Sequence, residues 1–109
     1  MNLKEQEIAL DDIILEIKQT MFKKGNDYAN KDRLSNFKLA GNILGLSASQ
    51  NCLSLIATKI ARLGVLLNGD TPNYESIDDS ILDLVCYSCL LSMIEREKKT
   101  PEFTQEVTF

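Results

Sequence analysis

The sequence predicts an all-α protein, a bundle of three long helices and one short helix, expected to be dimeric or a higher oligomer. Three observations predict this. Apolar residues recur at i, i+3 and i+4 over long stretches, and no period-two alternation marks a strand. Polar, turn-rich segments such as "GNDYANKDRLSN" and "NGDTPNYE" separate those stretches. Two capping-box signatures, Ser47 with Gln50 and Ser76 with Asp79, each stand immediately before an apolar run. With 109 residues the chain suits one domain with a modest core, read as residues 1–100 followed by a tail at 101–109.

The first helix is expected from Leu3 to Lys23, because Ala9, Leu10, Ile13, Ile14, Ile17 and Met21 share one face. Lys23, Lys24 and Gly25 then read as a basic last turn and a stop. A short helix follows from Ser35 to Leu44, ended by Gly45. The Ser47/Gln50 box opens a long helix to Leu67, which Asn68-Gly69 and Pro72 terminate. Ser76 and Asp79 open the last helix, which runs to Lys98 or Lys99 ahead of Pro101. In that helix Ile81, Leu84, Val85 and Leu91 are expected to be buried.

The last two long helices show little polar face. "CLSLIATKIARLGVLL" carries only Lys59 and Arg62 as charges. From Ile81 to Ile94, eleven of fourteen residues are apolar and Asp83 is the only charge. A small monomer has too few elements to cover two such helices, so homo-oligomerisation is expected, with a symmetric dimer as the default.

Composition narrows the function classes. Hydrophobic residues make up 44% and charged residues 26%, as in a soluble globular protein. The formal net charge of −4 argues against binding duplex nucleic acid, which requires a basic face. The N-terminal segment lacks a signal-peptide pattern, and no apolar run reaches the ~18 to 20 residues of a membrane helix. No membrane partner is expected, and a cytoplasmic location is. Cys52, Cys86 and Cys89 sit in apolar runs, and the chain has no histidine. The Cys86-x-x-Cys89 spacing therefore reads as small core residues rather than half of a zinc site.

Asp83 is the charge hardest to place. A buried lone carboxylate is costly unless a cation or hydrogen-bond donors compensate it. Asp79 precedes it by one turn on the same face, Lys59 and Arg62 share a face of the preceding helix, and Asp12 and Glu16 share one on the first. Side-by-side packing of these helices would gather six charged groups. Clustered carboxylates are relieved by a cation, and Mg²⁺ with carboxylate, water and phosphate ligands is the usual solution. Lysine and arginine suit the phosphates, and the chemistry is metal-assisted phosphate ester or anhydride hydrolysis. Plain alternatives stand beside this reading. Asp79 at the third helical position serves the cap and dipole. Asp12 and Glu16 can be solvated, Lys59 and Arg62 can snorkel, and Asp83 can pair with Arg62 or Lys59.

In order, "KKGNDYANKDRLSNFK", "TKIARL" and "ESIDDSILDLVCYSCLL" resemble a pattern in small, often phage-encoded proteins. That pattern runs K-x-x-D-Y, N-F, K-x-x-R and D-x-x-x-D before an aromatic. The chain in this respect resembles the nucleotide modification associated domain 1 family, related to the MazG-like all-α NTP pyrophosphohydrolases. The resemblance spans residues 10 to 95. It implies an oligomeric helical bundle that binds a nucleotide and Mg²⁺. Asp79 and Asp83 then match the metal-binding helix, Lys24 and Asp27 the K-x-x-D-Y element, and Lys59 with Arg62 the basic pair. Asp12-x-x-x-Glu16 stands where MazG-like enzymes carry E-x-x-E. Glu75-x-x-Asp78 fits their later E-x-x-D but straddles the expected helix start.

Three functions follow. The first is Mg²⁺-dependent hydrolysis of a nucleoside triphosphate to monophosphate and pyrophosphate. There Asp12, Glu16, Asp79 and Asp83 hold metal, Glu16 orients the attacking water, and Lys24, Lys59 and Arg62 neutralise phosphate charge. The second is nucleotide binding without turnover, as in a phage protein that sequesters a nucleotide signal of host defence, with Tyr28, Phe37 or Tyr87 stacking on the base. The third is an oligomeric interaction module whose buried charges are structural ion pairs.

Overall fold

The computed structural model describes residues 1–27, 32–69 and 76–99. Every regular element among them is helical: α1 (Leu3–Asp27), α2 (Ser35–Leu44), α3 (Ala48–Leu67) and α4 (Ile77–Lys99). The all-α class follows directly, as the apolar periodicity predicts. The chain divides into two compact units, Met1–Arg33 and Leu34–Phe109. The tail at 101–109 lies outside the described residues.

The first unit contains α1. Asn2 caps it: the Asn2 side-chain oxygen accepts from the Glu5 amide at 2.8 Å. The helix continues to Asp27, four residues beyond the Lys23 expected from the sequence, and so carries Gly25 inside its last turn. A glycine ends a helix by turning left-handed, as Gly45 does at φ 72°. One that stays helical costs only about 1 kcal/mol relative to alanine, which neighbouring turns absorb. Of the α1 apolar stripe, Ala9, Ile17 and Met21 are half-buried, while Leu10, Ile13 and Ile14 are exposed.

The second unit is built from α2, α3 and α4. Gly45 closes α2 with its N–H on the Asn42 carbonyl, and the Leu46 N–H reaches the Gly41 carbonyl at 2.8 Å. That paired arrangement satisfies carbonyls that a helix end otherwise leaves open. It also turns the chain so tightly that a side chain at Gly41 would meet the Leu46 carbonyl oxygen at 2.7 Å. The α3 box forms as the sequence predicts: the Gln50 amide donates to Ser47 Oγ at 3.1 Å, and the Ser47 amide donates to Gln50 Oε1 at 2.9 Å.

The core lies between α3 and α4. Leu34, Cys52, Ile56 and Ile94 form its centre, with Phe37, Ala48, Leu84, Tyr87, Leu90 and Leu91 packed around them. The fully buried side chains are small, Cys52 and Ser80. Small residues at a helix contact allow close backbone approach, and the Cys52 thiol accordingly donates to the Tyr87 carbonyl at 3.3 Å. The thiols of Cys52 and Cys86 are buried and that of Cys89 is half-buried, in keeping with their reading as small core residues.

The face of α4 is rotated from expectation at one position. Ile81 is 44% exposed, whereas Leu84, Val85 and Leu91 are half-buried as expected. The buried positions run through Ser80, Cys86 and Ile94. Ile81 lies one residue, about 100° of helix rotation, beyond Ser80 and turns outward.

Three polar ties pin the far end of the unit. Asn51 Nδ2 donates to the Phe37 carbonyl at 3.3 Å, joining α3 to α2. Lys38 of α2 pairs with Glu97 of α4 at 2.7 Å. Ser49 of α3 donates to Glu95 of α4 at 2.5 Å, and Lys98 donates to Ser49 at 2.9 Å. The junction at Gly41 is the least forgiving of these features, because the atoms it would clash with are backbone. Gly41→Ala is expected to destabilise the fold by about 1–3 kcal/mol, read as a lowered midpoint in denaturant unfolding. An unchanged midpoint would show that the α2–α3 turn is looser than the close approach implies.

Candidate functional site

The site begins with two charges that occupy core-facing positions. On α3 the residues facing the core run Cys52, Ile56, Leu63 and Leu66, and Lys59 falls on the same side by helical spacing. On α4 Asp83 lies one turn beyond buried Ser80 and one turn before Tyr87. Both positions invite apolar residues, so each charge requires compensation. They compensate one another: Lys59 Nζ lies 2.9 Å from Asp83 Oδ2, with side chains 16% and 28% exposed. Of the two partners expected for Asp83, Lys59 is the one that pairs with it.

Tyr87 shares this neighbourhood. Burial pushes its phenol pKa up, and the Asp83 carboxylate adds to the rise while the Lys59 ammonium opposes it. A cation and a carboxylate thus meet at one half-buried place on the α3–α4 seam, and Tyr87 lies one turn along α4 from the carboxylate. Ser80 stands beside them on α4. It is fully buried, and its hydroxyl has no hydrogen-bond partner. A lone serine in the "DDSILDL" stretch signals such a residue only after the helix face is known.

The other expected site residues are placed as follows. Arg62 lies one turn along α3 from Lys59 and is exposed. Asp79 is exposed in the first turn of α4, where its amide donates to Ser76 Oγ at 3.0 Å, so its position serves the cap. Asp78 is exposed in the same turn. Asp12 and Glu16 are exposed on α1, in the other unit. Tyr28 and Glu75 lie outside the described residues, as do the side chains of Lys24 and Asp27. Among the described residues no group of three or more histidine, cysteine, aspartate or glutamate side chains is placed to hold a metal ion.

A second polar cluster escapes sequence reasoning. Ser49, Glu95 and Lys98 meet at the far end of the seam, with Lys98 Nζ 2.7 Å from Glu95. Hydrogen bonds from Lys98 and from Ser49 hold the Glu95 carboxyl below the usual glutamate range. Lys98 is 51% exposed and pairs with that carboxylate, so its ammonium is a poor base for activating Ser49. The cluster ties two helices together.

No protein-family model, curated protein or solved structure matches the chain. The resemblance to the nucleotide modification associated domain 1 family therefore rests on its motif residues alone.

The electrostatics of the seam are open to titration. The folded pKa of Tyr87 lies above its unfolded value, so its stabilising contribution is complete below the ordinary phenol value of 10.0. That contribution is lost as pH rises through the raised value. An alkaline absorbance titration of the native chain should show one of its three tyrosines ionising late, and Tyr87→Phe should remove that step. Three phenols ionising together in the ordinary range would contradict this placement.

Proposed function

We propose that the chain binds a nucleotide at the Lys59–Asp83–Tyr87 place and hydrolyses a nucleoside triphosphate to monophosphate and pyrophosphate with Mg²⁺. The observation that carries this reading is the half-buried Lys59–Asp83 pair, closed at 2.9 Å one helical turn from Tyr87. A free phosphate that captured Lys59 would leave Asp83 uncompensated, at high cost. A magnesium–nucleotide complex offers an anion for Lys59 and a cation for Asp83, so docking exchanges partners without stranding either charge.

The donor chemistry suits the metal. Asp79 and Asp83 are one helical turn apart on α4, and Mg²⁺ is commonly held by one or two carboxylates plus phosphate oxygens and water. When bound, it supplies charge neutralisation for the phosphates and acidifies water. Lys59 and Arg62 bind phosphate oxygens, and Tyr87 offers its ring to the base. Attack on the inner phosphorus breaks the anhydride bond, and water adds to give monophosphate, pyrophosphate and a proton.

A second reading is favoured by the closeness of the same pair. Lys59 and Asp83 already satisfy one another, as a purely structural bridge in an interaction module requires. Under either reading we propose a homo-oligomer, supported by large apolar side chains at the surface such as Ile43 at 85% and Ile60 at 56% exposure. No helix among the described residues is long and apolar enough to cross a membrane.

Pyrophosphate release over a panel of nucleoside triphosphates, with and without Mg²⁺, tests the proposal alongside thermal shift on the same panel. The expected result is Mg²⁺-dependent release and stabilisation, with Asp83→Asn lowering release at least about tenfold. Stabilisation without release would support sequestration of a nucleotide in place of catalysis. No shift with any nucleotide would leave the pair as a structural bridge.

A further inference from the structure

The hydroxyl of a helical serine or threonine that does not face water bonds back to a carbonyl of the preceding turn. Ser54 donates in this way to the Asn51 carbonyl at 2.6 Å, Thr58 to that of Ser54 at 3.0 Å and Ser88 to that of Leu84 at 2.9 Å. Those three residues are exposed, so water was open to them as well. Ser80 is fully buried, yet its hydroxyl makes no such bond. The backbone there is regular, since the Ser80 amide donates to the Ser76 carbonyl at 3.1 Å, so a distorted turn is not the reason. The helical hydroxyl with most to gain from a local carbonyl leaves it unused.

Ser80 and Asp83 stand three residues apart on α4 and so share one face. Lys59 holds Asp83 from α3 through Oδ2. A carboxylate can accept several hydrogen bonds, so one ammonium does not exhaust it. Ser80 is closed off from solvent, and a partner for its hydroxyl has to come from within the chain.

We propose that Ser80 is the reserve partner of Asp83: when a phosphate-bearing anion draws Lys59 away, the Asp83 carboxylate accepts the Ser80 hydroxyl. Ser80 is then a positioning residue, acting through Asp83 and touching neither anion nor metal. Without such a donor, loss of the ammonium leaves the carboxylate uncompensated and holds the pair shut. A hydroxyl on a carboxylate is a charge-assisted hydrogen bond, about twice as strong as one between neutral groups, so part of that loss is recovered. The inference rests on the nucleotide reading above and deepens it. One Asp83 oxygen on Ser80 leaves the other for Mg²⁺, and carboxylates that ligate metals are themselves hydrogen-bonded in this manner.

Denaturant unfolding of the full chain tests this with no nucleotide present, so its failure is told apart from failure of the nucleotide reading. Lys59→Met keeps the length of the side chain and removes the ammonium, standing in for an anion that has taken it. In the wild type, Ser80→Ala should raise the unfolding midpoint, because it removes an unsatisfied hydroxyl. In Lys59→Met the same substitution should lower the midpoint and favour unfolding about tenfold, because the hydroxyl there serves Asp83. With Asp83→Ala added to Lys59→Met, Ser80→Ala should again raise it, a reversal that a packing role does not produce. Ser80→Cys, close to serine in volume but a weak donor, should follow Ser80→Ala in each background. One and the same effect of Ser80→Ala in all three backgrounds would overturn the inference, whatever the nucleotide panel shows.

Discussion

The Lys59–Asp83 bridge is the constraint around which the second unit is arranged. It places a cation and a carboxylate at positions where α3 and α4 otherwise present apolar or small side chains. Removing Lys59 leaves the Asp83 carboxylate, only 28% exposed, without its ammonium, which costs more than the pair itself contributes. The register of α3 against α4 is therefore tied to this contact: sliding either helix by one turn separates the two charges. A chain that needed only a core at these positions would be better served by two apolar residues. Keeping the pair is what directs attention to a charged ligand.

The packing on either side of the bridge follows the same logic. Cys52 and Ser80, both fully buried, keep the helices close enough for short ammonium–carboxylate contact. The thiol finds a carbonyl partner, while the Ser80 hydroxyl finds none. An unsatisfied buried hydroxyl works against stability by about 1–3 kcal/mol, and alanine would have served the packing equally. At the far end the Ser49–Glu95–Lys98 cluster joins α3 to α4, and Lys38–Glu97 joins α2 to α4. These surface ties are individually weak, and their effect is on geometry rather than on total stability.

Features encoded within one turn of chain were readable in advance. The Ser47/Gln50 and Ser76/Asp79 caps, the Gly45 terminus and the span of α3 depend on local hydrogen bonds whose donors and acceptors are neighbours in sequence. The need of Asp83 for a partner was equally plain, because desolvation cost follows from its apolar surroundings alone. Which cation would answer depended on the rotation of α3, and Lys59 and Arg62 were equivalent until that was known. Gly25 reads as a stop, yet it stays helical and α1 continues to Asp27, because nothing local forces a glycine into the left-handed turn. Ile81 faces outward against expectation, because an almost uniformly apolar run gives no contrast from which to read a face. Ser49, Glu95 and Lys98 converge from positions 46 and 49 residues apart, a meeting that no local pattern announces. Of the six charges expected to converge, Lys59 and Asp83 are in contact within the second unit.

The central claim is that Lys59 and Asp83 are energetically one group. A double-mutant cycle by denaturant unfolding, using Lys59→Met, Asp83→Asn and the combined variant, measures this directly. Each single variant removes one end of the bridge, and the combined variant removes both. The expected coupling is about 1–2 kcal/mol, with the double variant more stable than the sum of the single effects allows. Additivity within about 0.3 kcal/mol would show that the two charges do not depend on one another, and the account of the seam would fail with it.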